Sequence, residues 1–219
     1  MNIQIDVISD VVCPWCFIGK RRLEEALRQF EPHAREVSVE VRWRPFQLNP
    51  DLPASGMDRA EYVTRKFGPG ARDIYSRVSQ VGRSVGVEFG FERIVRQPNT
   101  LAAHQLIRLA GQELRQDAMV ETLFRAYFLE GADLTDASVL VDLAVRSGLQ
   151  AQAAQQCLTD QSAREAVVEE EGMARELGVQ GVPFFVFNRR LGVSGAQEPT
   201  LLLRAMETAL DEPAASEQS

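Results

Sequence analysis

Ser9-Asp10-Val11-Val12-Cys13-Pro14-Trp15-Cys16 stands between two stretches of different period. Before it, Ile3, Ile5 and Val7 alternate with Gln4 and Asp6, and Ile8 extends the run, which is the period-two pattern of a strand. After it, Cys16, Leu23, Ala26, Leu27 and Phe30 share one helical stripe, and Glu31-Pro32 closes it. Ser9-Asp10 supplies turn chemistry at the junction. Pro14 suits the first helical turn, where a missing N–H costs nothing and φ is already set. Beyond the helix, Val37, Val39, Val41 and Trp43 alternate with Ser38, Glu40, Arg42 and Arg44, predicting a second strand. Strand, helix and strand with short connections predict a βαβ unit, with parallel strands and a right-handed crossover. The cysteines then fall past the carboxyl end of the first strand, where open α/β sheets place their chemistry.

Working outward, residues 51–177 read as a helical block. The part over 53–90 is polar and broken by Gly68-Pro69-Gly70, so short helices and loops are expected there. From Asn99 or Thr100, a capped helix carries Ala103, Leu106, Ile107 and Ala110 on one side. Met119, Val120, Leu123, Phe124, Tyr127 and Phe128 give a well-buried helix, and Thr135 or Asp136 starts another. A last helix over 161–177 is apolar on the face bearing Ala163, Ala166, Val167, Ala174 and Leu177, while Glu169-Glu170-Glu171 reads as a solvated face. Val182-Pro183-Phe184-Phe185-Val186-Phe187 then returns to strand, a continuous apolar run expected of a strand covered on both sides. Asn188-Arg189-Arg190 turns the chain into Leu191-Gly192-Val193, an antiparallel hairpin. A helix over 200–210 follows, and the small, polar 212–219 stretch reads as frayed.

The 219 residues are 45% hydrophobic and 25% charged, enough apolar side chain for a sizeable core. No stretch approaches the ~18–20 unbroken apolar residues of a membrane span. Lys and Arg total 24 against 31 Asp and Glu, a net charge of −7 that disfavours nucleic-acid backbones and anionic lipid as partners. MNIQIDVISD has no basic n-region and an aspartate inside its apolar run, so it does not read as a signal peptide, and a cytoplasmic location is expected.

Three cysteines, Cys13, Cys16 and Cys157, are too few and too unevenly spaced for a secreted disulfide framework. Residues i and i+3 lie on one face of a helical turn, where two sulfurs can reach each other. Cys13, preceding the helix, would have its thiolate form favoured by unpaired N–H groups and the positive end of the macrodipole. Thiolates attack disulfides. Cys16, one turn further in, would be more buried and suited to resolve a mixed disulfide. A zinc site normally needs four ligands. Only Cys157, His33 and His104 could add to the pair, and none forms a second close pair, so no metal is expected.

The chain resembles the DsbA-like thioredoxin-fold oxidoreductases. The resemblance rests on Asp10-Val11-Val12-Cys13-Pro14-Trp15-Cys16, on Gly178-Val179-Gln180-Gly181-Val182-Pro183-Phe184-Phe185, and on Gly192-Val193-Ser194-Gly195-Ala196-Gln197. It looks nearest the polyketide-biosynthesis, frenolicin-type branch, which is related to 2-hydroxychromene-2-carboxylate isomerases and kappa-class glutathione transferases. The resemblance implies an α/β thioredoxin fold, β-α-β … β-β-α, from residues 1–50 and 178–219, with an all-helical insertion over 51–177. It implies a cis Val182-Pro183 bond against the cysteine pair, leaving the Val182 backbone to pair with an extended substrate segment. No bound cofactor is implied. The redox element would be the Cys13–Cys16 disulfide, with glutathione a candidate co-substrate.

Three functions follow. The first is a disulfide oxidoreductase acting on a protein or small thiol. The second is a glutathione-dependent isomerase or transferase, although serine is typical at the position of Cys13 in those relatives. The third is a non-enzymatic redox sensor. Pro-Trp between the cysteines offers no imidazole to stabilise a thiolate, so the strongly oxidising end of the ~−270 to −120 mV range is not expected. Trp15 is read as part of an apolar docking surface. Asp10 is read as a turn cap rather than a proton carrier. Asn99, Thr100 and His104 are read as packing or capping residues, and Cys157 as a free thiol without a role.

Overall fold

The computed structural model describes residues 2–30 and 37–211. The expected stop at Glu31-Pro32, His33 and the 212–219 tail lie outside the described residues. Strand β1, Asn2–Ser9, leads into helix α1, Pro14–Phe30, and strand β2, Ser38–Pro45, runs parallel to β1 from Asn2 opposite Ser38 to Ser9 opposite Pro45. Much later, β5, Phe184–Phe187, pairs antiparallel with β1, and β6, Leu191–Ser194, pairs antiparallel with β5. The sheet order is therefore β2-β1-β5-β6, with β1 central. Asn188 and Arg189, both at positive φ, make the tight turn between β5 and β6. Helix α9, Pro199–Asp211, completes the β-α-β … β-β-α order.

Alternation along β1 divides the sheet into two faces. Ile3, Ile5 and Val7 point the same way as Phe185 and Phe187, and this face is buried under α1 and α9, with Phe17, Leu23, Leu202 and Met206 in the same core. Gln4, Asp6 and Ile8 point the other way. There Ile8 joins Phe46, Ala174 and Val179 in a second, smaller core that Val182, Phe184 and Val186 only partly close. The β5 run is thus fully covered on one side and half-covered on the other, where both sides were expected to be closed.

Between β2 and β5 lies the helical block: α2 (Arg59–Phe67), α3 (Ala71–Ser84), α4 (Leu101–Gln112), α5 (Gln116–Arg125), α6 (Ala137–Arg146), α7 (Ala151–Thr159) and α8 (Gln161–Glu176). It is not wholly helical, because β3 (Met57–Asp58) and β4 (Arg96–Gln97) form a small antiparallel ribbon. Strands of two residues show no readable alternation in sequence. Helix α7 also had no sequence signal: in its Ala- and Gln-rich run only Ala154 and Cys157 are buried. Past α5 the chain forms a π-helical turn, Ala126–Glu130, ended by Gly131 at φ 76°. A Cβ on Gly131 would come within 2.4 Å of the Arg93 carbonyl oxygen, so both the backbone and the space require glycine.

The block is tied to the sheet by aromatic rings. Phe17, beside Cys16 on α1, stacks on Phe124 at 5.0 Å and meets Phe89 edge-on at 6.1 Å. Such pairs contribute about 0.5–1.5 kcal/mol each beyond their buried area. Below them Lys20, almost wholly buried, is neutralised by Glu24 at 2.5 Å, Asp117 at 3.0 Å and Glu121 at 3.4 Å. Burial opposes its charge, but the three carboxylates outweigh that and raise its pKa.

Candidate active site

The turn from β1 to α1 is closed by Cys13 N–H donating to the Asp10 carbonyl at 3.0 Å, and Cys16 N–H donates to the Cys13 carbonyl at 3.0 Å. These bonds set Cys13 at the amino end of α1 and Cys16 inside its first turn. Both are free thiols, three residues apart on the first turn of α1 and close enough to influence each other's ionisation. Cys13 keeps 5% of its surface accessible and Cys16 keeps 1%, so a reagent from solvent meets Cys13 first. Burial pushes the Cys16 thiol well above its ordinary pKa, and the hydrogen bond and charge of Cys13 add to this. The Ser9 hydroxyl and the Asp10 backbone N–H work against it.

The opposite wall comes from the start of β5. The Val182–Pro183 peptide is cis, and the Cys13 thiol donates to the Val182 carbonyl at 3.4 Å. That carbonyl is therefore occupied in the dithiol state. Pro183 lies on α1 at Gly19, where a Cβ would stand 3.0 Å from Pro183 Cγ and 3.2 Å from Phe185 Cζ. Gly19 is what allows this approach. A glycine within an apolar helical stripe is the sequence signal for such a close approach. The Gly192–Gln197 motif holds the wall from behind: Gly195 N–H donates to the Pro183 carbonyl at 2.8 Å, and the Arg22 guanidinium of α1 bonds the Ala196 carbonyl. Trp15 is half-buried beside the pair, packed on the core rather than fully exposed.

Asp10 does more than cap a turn. Its carboxylate is completely buried and takes its short bond from distant Leu48 N–H at 2.7 Å, while the local bond to Val12 N–H is 3.5 Å long. His104 Nε2 stands 3.7 Å from the same carboxylate and 3.2 Å from the Phe46 carbonyl. Asn99 caps α4 through Leu101 N–H at 3.0 Å and pins the loop after β2 by donating to the Pro50 and Leu52 carbonyls.

The acidic run is corrected as well. Glu171 is buried and accepts from Gln47 N–H and Nε2, both at 3.0 Å, with Arg175 at 2.6 Å, while Glu170 pairs with Arg44. Leu177, assigned to the buried face, is 80% exposed, because α8 ends at Glu176 and the buried stripe ends with it. Charge runs usually mark solvent, and sequence spacing carries no sign of a loop that supplies partners from elsewhere. Cys157 lies on α7, its thiol donating to the Gln105 carbonyl at 3.5 Å. Burial raises its pKa, aided by Asp160 and opposed by Arg108. Among the described residues no group of three or more His, Cys, Asp or Glu side chains is placed to hold a metal ion, and no helix is long and apolar enough to cross a membrane.

Known proteins share this fold. The structure superposes on a probable DsbA oxidoreductase of Streptomyces coelicolor with a TM-score of 0.87 and 31% identity, covering 99% of this chain and 94% of that one. A 2-hydroxychromene-2-carboxylate isomerase shares the fold at a TM-score of 0.70 and 17% identity, with 94% of this chain and 96% of that one covered. The uncharacterised protein YwbO of Bacillus subtilis (strain 168) is 29% identical over 149 residues, 68% of each chain. Residues 4–207 match the family model of the DSBA-like thioredoxin domain, and with the DsbA-like thioredoxin fold and its helical insertion in place, the chain belongs to that family.

Proposed function

We propose that the protein is a thiol–disulfide oxidoreductase in which Cys13 is the nucleophile and Cys16 the resolving thiol. The placement of two free thiols at a helix amino end, Cys13 5% exposed and Cys16 1%, carries this reading. Family membership supports it at the level of the fold and general class. Cys13 as thiolate attacks one sulfur of a protein or small-molecule disulfide, forming a mixed disulfide and expelling the other sulfur as thiolate. Cys16 then loses its proton and attacks Cys13 Sγ, releasing the second substrate thiol and leaving the Cys13–Cys16 disulfide. An external thiol such as glutathione reverses these steps. In a reducing compartment such as the cytoplasm the disulfide is transient.

Cys13 loses its S–H when it ionises or is oxidised, and the Val182 carbonyl then loses its donor at 3.4 Å. An extended substrate backbone can supply the replacement N–H, with Trp15 and Pro183 flanking it. Substrate binding is thereby coupled to the reactive form of the nucleophile.

The test is reduction of a model protein disulfide, with thiols counted by alkylation. Wild type should cycle, Cys13→Ala should lose all exchange, and Cys16→Ala should accumulate the mixed disulfide. A wild-type protein that forms no Cys13–Cys16 disulfide in a glutathione redox buffer would end this proposal. Glutathione-dependent turnover surviving in Cys13→Ser, without exchange in wild type, would replace it with the isomerase or transferase reading. A disulfide that forms without turnover would replace it with the sensor.

A further inference from the structure

Most cations of this acidic chain are either exposed or matched by a carboxylate. Of the described arginines and lysines that form no ion pair, Arg59 alone is not fully exposed. It opens α2 and is half-buried. Its guanidinium donates to Gln97 Oε1 and to the Tyr75 hydroxyl at 2.7 Å, both neutral acceptors. The Tyr62 and Tyr75 rings lie 5.3 and 5.6 Å from its central carbon. Gln97 is itself buried and also takes the hydroxyl of buried Tyr127 at 3.2 Å, so the cation is held on a rigid support. A guanidinium carries more donors than these two bonds use. The charge is thus fixed in place and partly stripped of water, with no anion to meet it.

Arg59 and Tyr75 line a cavity of about 510 Å³, whose apolar wall includes Val63, Phe91, Ile94 and Val95. Val95 is 67% exposed, so the cavity opens to solvent. None of its lining residues belongs to the cysteine site. Asp58 and Glu92 also line it and are its other charged groups. Asp58 is occupied as the cap of α2, accepting from Glu61 N–H at 2.9 Å, and the Glu92 side chain is 74% exposed beside Arg93. Solvent screens both more than it screens Arg59. They leave room for one negative charge at the guanidinium and oppose a second.

We propose that this cavity in the helical block binds an apolar monocarboxylate, an acyl or aryl acid, with its carboxylate on Arg59 and its hydrocarbon part on Val63, Phe91, Ile94 and Val95. The site goes beyond the disulfide chemistry and does not depend on it. A planar guanidinium presents parallel N–H donors that match the two oxygens of a carboxylate, and here its orientation is set before the ligand arrives. The apolar wall supplies affinity, the cation supplies orientation, and the carboxylates at positions 58 and 92 select against dianions.

NMR titration of the full-length protein tests this, with amide shifts followed for 3-phenylpropionate, octanoate, the neutral 3-phenylpropionamide and the dianion phenylsuccinate. Both monocarboxylates should bind saturably and move the amides of residues 58–63 and 91–95. The neutral amide and the dianion should each bind about tenfold more weakly, the scale of one charge-assisted bond. Arg59→Met should weaken the acid about tenfold and leave the amide unchanged, a split that mere loosening of α2 would not produce. Val63→Trp keeps Arg59 and fills the cavity, so it should abolish binding of both. No saturable binding of either monocarboxylate up to about 10 mM, beyond the weakest affinity expected of ligands this size, would overturn the proposal. So would equal weakening of acid and amide in Arg59→Met, or undiminished acid binding in Val63→Trp.

Discussion

The two faces of the central sheet are built on different physics. Under α1 and α9, Ile3, Ile5, Val7, Phe185 and Phe187 pack in a dry layer continued by the Phe17, Phe124 and Phe128 rings. Under α8, Ile8 and Phe46 are surrounded by buried or half-buried charge: Asp6 with Arg44 and Glu170, and Glu171 with Arg175 and Gln47. The dry face fixes where α1 and its cysteines stand. The polar face holds the loop after β2 that positions Asp10. One face sets distances and the other manages charge. This difference explains why one short motif needs a protein of this size around it.

The contrast is broken most severely at Phe17. Phe17→Ala removes a fully buried ring that meets three others, and should cost about 3–5 kcal/mol, read as a fall in the urea midpoint. A loss under 1 kcal/mol would mean that the helical block holds α1 by other contacts. On the polar face Glu171→Ala orphans the Gln47 N–H and amide, and should cost about 2 kcal/mol. It should also speed amide exchange at Gln47 while leaving α9 protected. Equal loosening of both faces would contradict their separation.

The smallest effect is the pH dependence of the reduced form. The folded Cys16 pKa lies above its unfolded value, so the folded state keeps a proton that the unfolded chain gives up. That stabilisation is complete below the ordinary thiol pKa of about 8.5 and declines as pH rises beyond it, by about 1 kcal/mol at most between pH 7 and 9. Cys157 is present throughout, so the stability of Cys13→Ser minus that of Cys13→Ser/Cys16→Ser should fall over that window in paired urea titrations. A flat difference would show that Cys16 is not sealed.

Much of this was legible in advance, for identifiable reasons. The alternation of Ile3, Ile5 and Val7, the stripe from Cys16 to Phe30 and the run into Phe187 are periodic signals, and each became the element expected. Glu171 and Asp10 misled because their partners are remote in sequence, and Leu177 because α8 stops one residue before it. Glu171 meets Gln47, 124 residues away, and Asp10 meets Leu48, 38 away. No local pattern encodes such pairings, and the same holds for Gly19 against Pro183.

By itself, the sequence determined the β-α-β … β-β-α order of the sheet domain, the cysteine spacing and the place of the pair at a helix start, because these depend on periods and offsets within a few residues. Tertiary structure alone decided which thiol is sealed, that the Val182 carbonyl meets Cys13, and that a histidine from α4 backs the aspartate before the motif. Burial and long-range hydrogen bonds arise only when distant segments close on one another, and those set the chemistry of a sulfur.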